Sequence, residues 1–255
     1  MAVFIAHSDE SAAQNEKRTY FVGGFALSEE DLPGFANAWR ERVLDGPPYI
    51  PYLHMRQIRD PRWRQEHGLT WLQAQGRIDE AVRIIVSLGR RCAVISRIQR
   101  VDLEEVMHTA CRERGIDPVV GLDEPDYFCF VAYARVILEF IHRKFREATK
   151  VNFIVSATSA KIEKHLQAIH GDMKQMTEPN VAQLLGEFEP ITMKDCLPLQ
   201  AADVLCWHFQ RYYRSERMER IDETRLALLG ESIGHNHDWS REDLEGMATR
   251  LFKPH

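Results

Sequence analysis

The sequence predicts one α/β domain built around a mixed β-sheet, and three observations indicate this fold class. The chain has 255 residues, which is long enough for one sizeable hydrophobic core. Two strand-like segments follow one another near the beginning, and consecutive strands favour an antiparallel meander. Later strand-like segments alternate with helical patterns, which favours parallel strands joined by helices. We therefore expect an antiparallel meander continued by parallel strands, with helices on both faces of the sheet.

The strand candidates are short apolar, aromatic or β-branched segments bounded by polar residues. They span residues 3–7, 19–27, 92–98, 151–156 and 188–193. The polar stretch 12–18 suits a hairpin loop between the first two strands. Gly23 and Gly24 inside the second strand indicate a bulge or the close approach of another backbone. Pro190 lacks a backbone donor and therefore favours an edge position or an irregular entry for the fifth strand.

Helices are expected where apolar residues recur every three to four positions. They span residues 28–44, 70–91, 102–114, 128–146, 160–176, 198–214, 223–232 and 241–251. Ser28 and the acids that follow it are expected to start the first helix, and Ser240 to cap the last. The proline-rich segment 46–55 is expected to be a non-helical turn. Segment 234–238 superficially resembles an HNH nuclease motif, although a polar loop before Ser240 is the simpler interpretation.

The composition narrows the possible functions. A net charge of −5 argues against a protein that coats nucleic acid non-specifically. It leaves a nuclease open, because an acidic metal site can lie inside a basic rim. Segments 56–59, 62–64 and 211–214 each carry two arginines and could form that rim, with a solvated surface as the alternative.

The expected location is the cytoplasm, because no secretory signal or membrane-spanning stretch is recognisable. The five cysteines are odd in number and form no Cys-x-x-Cys pair. They are therefore expected to be free thiols, mostly buried, in a reducing compartment.

Two positions suggest chemistry from the residues alone. Asp9 and Glu10 follow the first strand, and carboxylates are the ligands that Mg²⁺ and Mn²⁺ prefer; a solvated turn is the alternative. Gln200 and Asp203 are three residues apart on one face of an apolar helix. A carboxylate in such surroundings is costly unless it is hydrogen-bonded, paired or bound to a metal, the alternative being solvent access near the start of the helix.

Several short motifs resemble the DUF3800 family when they are taken in chain order. They are the Asp9-Glu10-Ser11 strand end, the Tyr20–Gly24 strand, the Tyr52–Met55 segment, the Glu124–Phe130 entry to a core helix, and the Pro198–Asp203 helix start. The resemblance covers most of residues 3–214. It implies an RNase H-like fold and a suspected metal-dependent nuclease activity.

Carried over to this sequence, the resemblance implies that Asp9 and Asp203 are metal ligands. It makes Glu10 a third ligand or a group that positions water, and it makes Gln200 and His54 supporting residues. The cofactor would be Mg²⁺ or Mn²⁺, and the substrate would be RNA or DNA. Carboxylates of this kind hold divalent ions that generate hydroxide and stabilise in-line displacement at a phosphodiester.

The sequence departs from the family pattern at the end of the fourth strand, where an acid is usual. Ser156 and Ser159 stand there instead, and Asp172 or Glu187 could supply the missing carboxylate. The alternative function is therefore a catalytically degenerate relative that binds nucleic acid or a protein partner without cleavage. The expected organisation is an RNase H-like domain over residues 1–215, followed by a helical extension of the same domain over 216–255.

Overall fold

The computed structural model describes residues 2–11, 19–88, 93–115, 124–156, 160–176, 179–213 and 218–251. Within them lies a mixed sheet of six strands, arranged in the order β5-β4-β1-β2-β3-β6. The strands are β1 (Ala2–Ser11), β2 (Thr19–Ser28), β3 (Ala93–Gln99), β4 (Ala148–Ser156), β5 (Leu185–Ile191) and β6 (Ile233–Trp239). The predicted hairpin loop 12–18 lies outside the described residues.

The strand directions confirm the predicted mixture of antiparallel and parallel pairing. β1, β2 and β3 form an antiparallel meander. On the other side of β1, β4 runs parallel to β1 and β5 runs parallel to β4. β5 is an edge strand, as Pro190 predicted. β6 lies parallel to β3 and forms the opposite edge.

The helices agree with the predicted segments to within a few residues at most ends. They are α1 (Leu32–Trp39), α2 (Met55–Ile58), α3 (Pro61–Glu66), α4 (Trp71–Ser87), α5 (Arg100–Glu113), α6 (Pro125–Lys144), α7 (Ala160–Met176), α8 (Pro179–Ala182), α9 (Leu197–Tyr213), α10 (Arg220–Ser232) and α11 (Arg241–Leu251). The short helices α2 and α3 were not predicted. None of the helices in the described ranges is both long and apolar enough to cross a membrane.

Two predictions about helix starts have different outcomes. Ser28 does not cap a helix, because it is still the last residue of β2 and its hydroxyl bonds Asp31, which precedes α1. α1 also passes into a π-helical turn at Arg40–Leu44 instead of continuing as an α-helix. Ser240 does cap α11, because its hydroxyl accepts the Asp243 backbone N–H at 3.1 Å.

The prediction of a polar loop at 234–238 is wrong. The predicted helical extension over residues 216–255 also contains a strand. Residues 234–238 belong to β6, where Asn236 pairs with Ile95 and Asp238 with Arg97. Edge strands tolerate polar side chains because one edge of the strand faces solvent. The pattern of hydrophobic residues therefore could not reveal this strand.

Each face of the sheet is covered by its own hydrophobic core. Phe130 on α6 and Phe153 on β4 belong to the first core, which also includes residues of α5, α7 and α11. Trp39 and Phe25 belong to the second core, with residues of α4 and α9. Helices therefore lie on both faces, and α9 packs on β1 and β2.

Gly24 marks a place where two strands approach too closely for a side chain. It pairs with Ser8, and a Cβ atom built on it would lie 1.8 Å from the carbonyl oxygen of His7. At the neighbouring Gly23, a Cβ atom would lie 2.6 Å from the Sγ of Cys206 on α9. The predicted close approach of another backbone is therefore found at Gly24, whereas Gly23 makes room for a side chain of α9.

Replacing Gly24 by alanine is expected to lower the free energy of unfolding by about 3 kcal/mol, because the obstructing atom is backbone and cannot turn aside. Gly34→Ala in α1 is the matched control, since its Cβ would meet nothing within 4 Å. Alanine is favoured over glycine inside a helix, so this control is expected to be neutral or slightly stabilising. Urea denaturation measures both effects, and equal stabilities of the two variants would contradict this account.

Candidate functional site

Asp9 lies near the end of β1 and is buried, with 5% of its surface exposed. Side chains alternate between the faces of a strand, so Asp9 shares a face with His7. His7 pairs with Phe25, which belongs to the core that contains α9. Asp9 is therefore on the face that α9 covers. The side chain of Glu10 lies outside the described part of the structure.

The helix α9 lies directly against the end of β1. The thiol of Cys206 donates to the backbone oxygen of Asp9 at 3.4 Å. Asp203 precedes Cys206 by three residues, which is about one turn and about 4.5 Å along the helix axis. The fold thus brings together the two elements that carry Asp9 and Asp203, which are far apart in sequence.

The carboxylate of Asp203 is buried and fixes a loop. Its Oδ2 accepts the backbone N–H of Met55 at 2.6 Å and lies 3.5 Å from Nδ1 of His54. Burial raises the pKa of Asp203, while His54 and the Met55 N–H act in the opposite direction. The Nδ1 atom of His54 also accepts the Arg56 N–H at 3.2 Å, so the imidazole caps the start of α2. His54 is therefore next to Asp203.

Gln200 serves the same loop from the preceding turn of α9. Its Oε1 accepts two N–H groups, from the backbone of Leu53 and from the indole of Trp39, each at 3.0 Å. Its Nε2 donates to the carbonyl of Met193 at 3.4 Å. Gln200 is fully buried and holds the segment that leads to His54. Its contacts in the described structure are thus with the loop and with Trp39.

The position predicted to lack an acid is next to Asp9. Ser8 pairs with Val155, so the following residues Asp9 and Ser156 lie side by side on one face. Ser156 is buried, with 7% of its surface exposed. Ser159 lies outside the described residues.

Neither predicted replacement acid reaches Asp9. Glu187 is exposed and forms an ion pair with Lys150 at 2.6 Å. Asp172 is exposed on α7, which packs against α6 on the opposite face of the sheet. Among the described residues, no group of three or more His, Cys, Asp and Glu side chains is placed to hold a metal ion.

Two polar residues on the face of Asp9 were not predicted. Burial lowers the pKa of His7 to about 3, and its Nδ1 has no hydrogen-bond partner among the described residues. Glu189 pairs with Ile154, which pairs with His7, so an exposed carboxylate lies on the same face two strands away. His7 lies in the predicted first strand, and strand alternation could have placed it on the same face as Asp9.

No protein-family model matches the chain, and no curated protein matches it in sequence.

Asp203→Asn is expected to gain stability relative to the native protein as pH rises. Below about pH 3, the carboxyl is protonated in both folded and unfolded chains. Burial raises the pKa of Asp203 in the folded protein, so the native protein loses stability as pH rises from the unfolded pKa towards the folded pKa. The amide of the Asn variant does not titrate. We expect a relative gain of about 1 kcal/mol or more between pH 4 and about pH 8, measured by urea denaturation with chelator.

The imidazole of His54 needs its own control, because its Nδ1 lies 3.5 Å from Oδ2 of Asp203. The comparison is therefore repeated in a His54→Gln background. A stability difference that does not change with pH in either background would contradict a raised pKa at Asp203.

Gln200→Leu is expected to lower the free energy of unfolding by about 2–4 kcal/mol. The substitution removes the oxygen that accepts the Leu53 and Trp39 N–H groups. A buried donor without a partner costs about 1–3 kcal/mol. Gln65→Leu on the exposed side of α3 is the control and is expected to be nearly neutral. Thermal denaturation compares the two, and a neutral Gln200→Leu would show that water replaces the lost acceptor.

Proposed function

We propose that the protein is a divalent-metal-dependent nuclease with an RNase H-like fold, similar to members of the DUF3800 family. One observation carries the proposal. Two buried carboxylates, Asp9 and Asp203, belong to a central strand and to the helix that packs on the end of that strand. A buried carboxylate is costly unless something compensates its charge, and a divalent cation does so.

The sheet supports the proposed fold family. An antiparallel meander, β1 to β3, is continued beyond β1 by the parallel strands β4 and β5. α9 follows β5 in the chain and returns to the face of β1 with Asp203. This arrangement supports an RNase H-like fold, with β6 as an additional edge strand.

The donor atoms fit a hard cation such as Mg²⁺ or Mn²⁺. Asp9 and Asp203 offer carboxylate oxygens, and the hydroxyl of Ser156 is beside Asp9. Asp9 and Asp203 would hold the ion, and Glu10 would be a third ligand or a group that positions water. A bound ion supplies Lewis acidity and lowers the pKa of coordinated water.

The residues around Asp203 have separate tasks in this proposal. The Met55 N–H holds the carboxylate in one orientation, and Gln200 fixes the adjoining turn. The raised pKa means that a proton competes with a cation for Asp203. His54 is partly exposed, and its Nδ1 lies 3.5 Å from Oδ2 of Asp203, where it would be a supporting residue.

A second function is favoured by the fourth strand. Ser156 occupies the position of the expected acid, and a hydroxyl is a weaker ligand than a carboxylate. In addition, Oδ2 of Asp203 already accepts the Met55 N–H. A protein that binds nucleic acid without cleaving it is therefore the alternative. For either function we propose a cytoplasmic location, which is supported by the buried free thiols Cys111, Cys129, Cys196 and Cys206.

The test is cleavage of labelled single- and double-stranded RNA and DNA in Mg²⁺, in Mn²⁺ and in chelator. We expect metal-dependent cleavage that falls at least ~100-fold in Asp9→Asn and in Asp203→Asn, because each variant removes a charged ligand. Asp102→Asn, on α5 at the opposite face, is the control and is expected to keep full activity.

Thermal denaturation in Mn²⁺ separates the two functions. For the nuclease, Mn²⁺ is expected to raise the melting temperature of the native protein but not of Asp203→Asn, since a ligand stabilises the state that binds it. Binding of an oligonucleotide without cleavage and without a Mn²⁺ effect would favour the alternative. Cleavage that survives in both aspartate variants would refute the proposed site.

A further inference from the structure

The segment that bonds Asp203 is locally basic in an acidic protein. Residues 55–66 hold four arginines and two carboxylates, whereas the whole chain has a net charge of −5. The segment forms α2 and α3, immediately after the loop that contains His54. The structure divides its arginines into two groups with different environments.

Two of these arginines are used inside the protein. Arg59 forms ion pairs with Asp222 at 3.2 Å and Glu219 at 3.1 Å, and its guanidinium lies 4.7 Å from the ring centre of Trp207. Arg64 donates to the carbonyl of Arg59 at 2.7 Å and to that of Ile58 at 3.1 Å. Their donors are thus committed to the fold.

Arg211, from the third predicted basic segment, is in the same internal group. Its guanidinium lies 4.8 Å from the ring centre of Trp207, and its NH1 atom is 3.8 Å from Asp222. The fully buried Asp222 also pairs with Arg225 at 3.1 Å. Arg59 and Arg211 were candidates for a basic rim, but both are used inside the protein at Asp222.

Arg56 and Arg62 are different, because both are exposed and neither forms an ion pair within the described parts of the chain. The carboxylate nearest in sequence, Asp60, is used as the cap of α3 and accepts the Arg62 backbone N–H at 2.8 Å. Glu66 is exposed at the far end of α3. The guanidinium groups of Arg56 and Arg62 are therefore not neutralised by the fold.

A third exposed cation is close to the same segment. The Nζ atom of Lys194 lies 4.9 Å from the ring centre of Tyr52, and that ring packs edge-on against Trp63 of α3 at 6.2 Å. Tyr52 precedes His54 by two residues. Lys194 thus lies beside the loop that contains Tyr52 and His54. Arg56 follows this loop in the chain.

We infer that Arg56, Arg62 and Lys194 form a surface, here called the arginine edge, that binds the phosphate backbone of a nucleic-acid strand. The inference rests on the proposed function, because it places this strand beside Asp203. Met55 bonds Asp203 directly, and Arg56 is the next residue in the chain. A backbone held at the arginine edge therefore lies next to Asp203.

Phosphate is the partner that this chemistry fits. The guanidinium of arginine binds phosphate oxygens with two parallel hydrogen bonds, and its charge persists at every physiological pH. Phosphate contacts hold the polymer without reading its sequence. The arginine edge therefore positions a strand, whereas selectivity for RNA or DNA has to come from other contacts.

The experiment measures binding in chelator, so that cleavage plays no part. Fluorescence anisotropy follows a labelled single-stranded RNA, the same sequence as DNA, and its duplex over a series of salt concentrations. Arg56→Gln/Arg62→Gln is expected to weaken binding of the preferred nucleic acid by about tenfold or more. The slope of log affinity against log salt is expected to fall by about 2, because about one ion is released per phosphate contact.

The control is Arg112→Gln/Arg143→Gln, which removes the same charge from two exposed residues of α5 and α6. It is expected to leave affinity and salt slope within about twofold of the native values. Poly-L-glutamate replaces the nucleic acid in a further arm and is expected not to compete.

Each remaining outcome overturns the inference. No binding of any nucleic acid, equal losses in the two double variants, or competition by poly-L-glutamate would show that the arginine edge is not a phosphate-backbone surface. Metal-dependent cleavage that is lost in Asp203→Asn would still support the proposed nuclease in those cases. The two proposals can therefore fail separately.

Discussion

Two side-chain oxygens on α9 determine the arrangement of the whole candidate site. Oε1 of Gln200 accepts the Leu53 N–H, and Oδ2 of Asp203 accepts the Met55 N–H. Both backbone groups are buried, and buried donors need acceptors. The two N–H donors are two residues apart along an extended segment, and their two acceptors are three residues apart along a helix. One face of the helix therefore matches one edge of the loop. The loop in turn fixes the start of α2 and the direction in which Arg56 leaves it.

The close approach of α9 to the sheet depends on the absence of a side chain at Gly23. The thiol of Cys206 occupies that space and also donates to the backbone of Asp9. One thiol thus fills the space above Gly23 and bonds the backbone of the buried Asp9. The packing of α9 on the sheet therefore holds the backbone of Asp9 in place.

Much of this fold follows from local sequence, whereas the partners of the polar residues do not. Alternation and β-branched residues predicted β1 and β2, and the apolar stretch around Asp203 indicated that its charge needed compensation. Its partner, Met55, is 148 residues away and belongs to a proline-rich segment with no periodic pattern. The sequence did not predict β6, because its residues are mostly polar. They form a strand by pairing with the edge of β3. The internal use of Arg59 could not be foreseen either, since it depends on Asp222 in a distant helix.

The pairing of β3 with β6 has a consequence for how the chain is made. β3 ends at Gln99, but its outer neighbour begins only at Ile233. On the ribosome, the meander is complete long before β6 emerges, and the outer backbone groups of β3 stay unpaired during that time. A parallel partner also cannot be reached through a short turn. The growing chain therefore carries an open β-edge for more than half of its synthesis, and this is the interval in which association with other nascent chains competes with native closure.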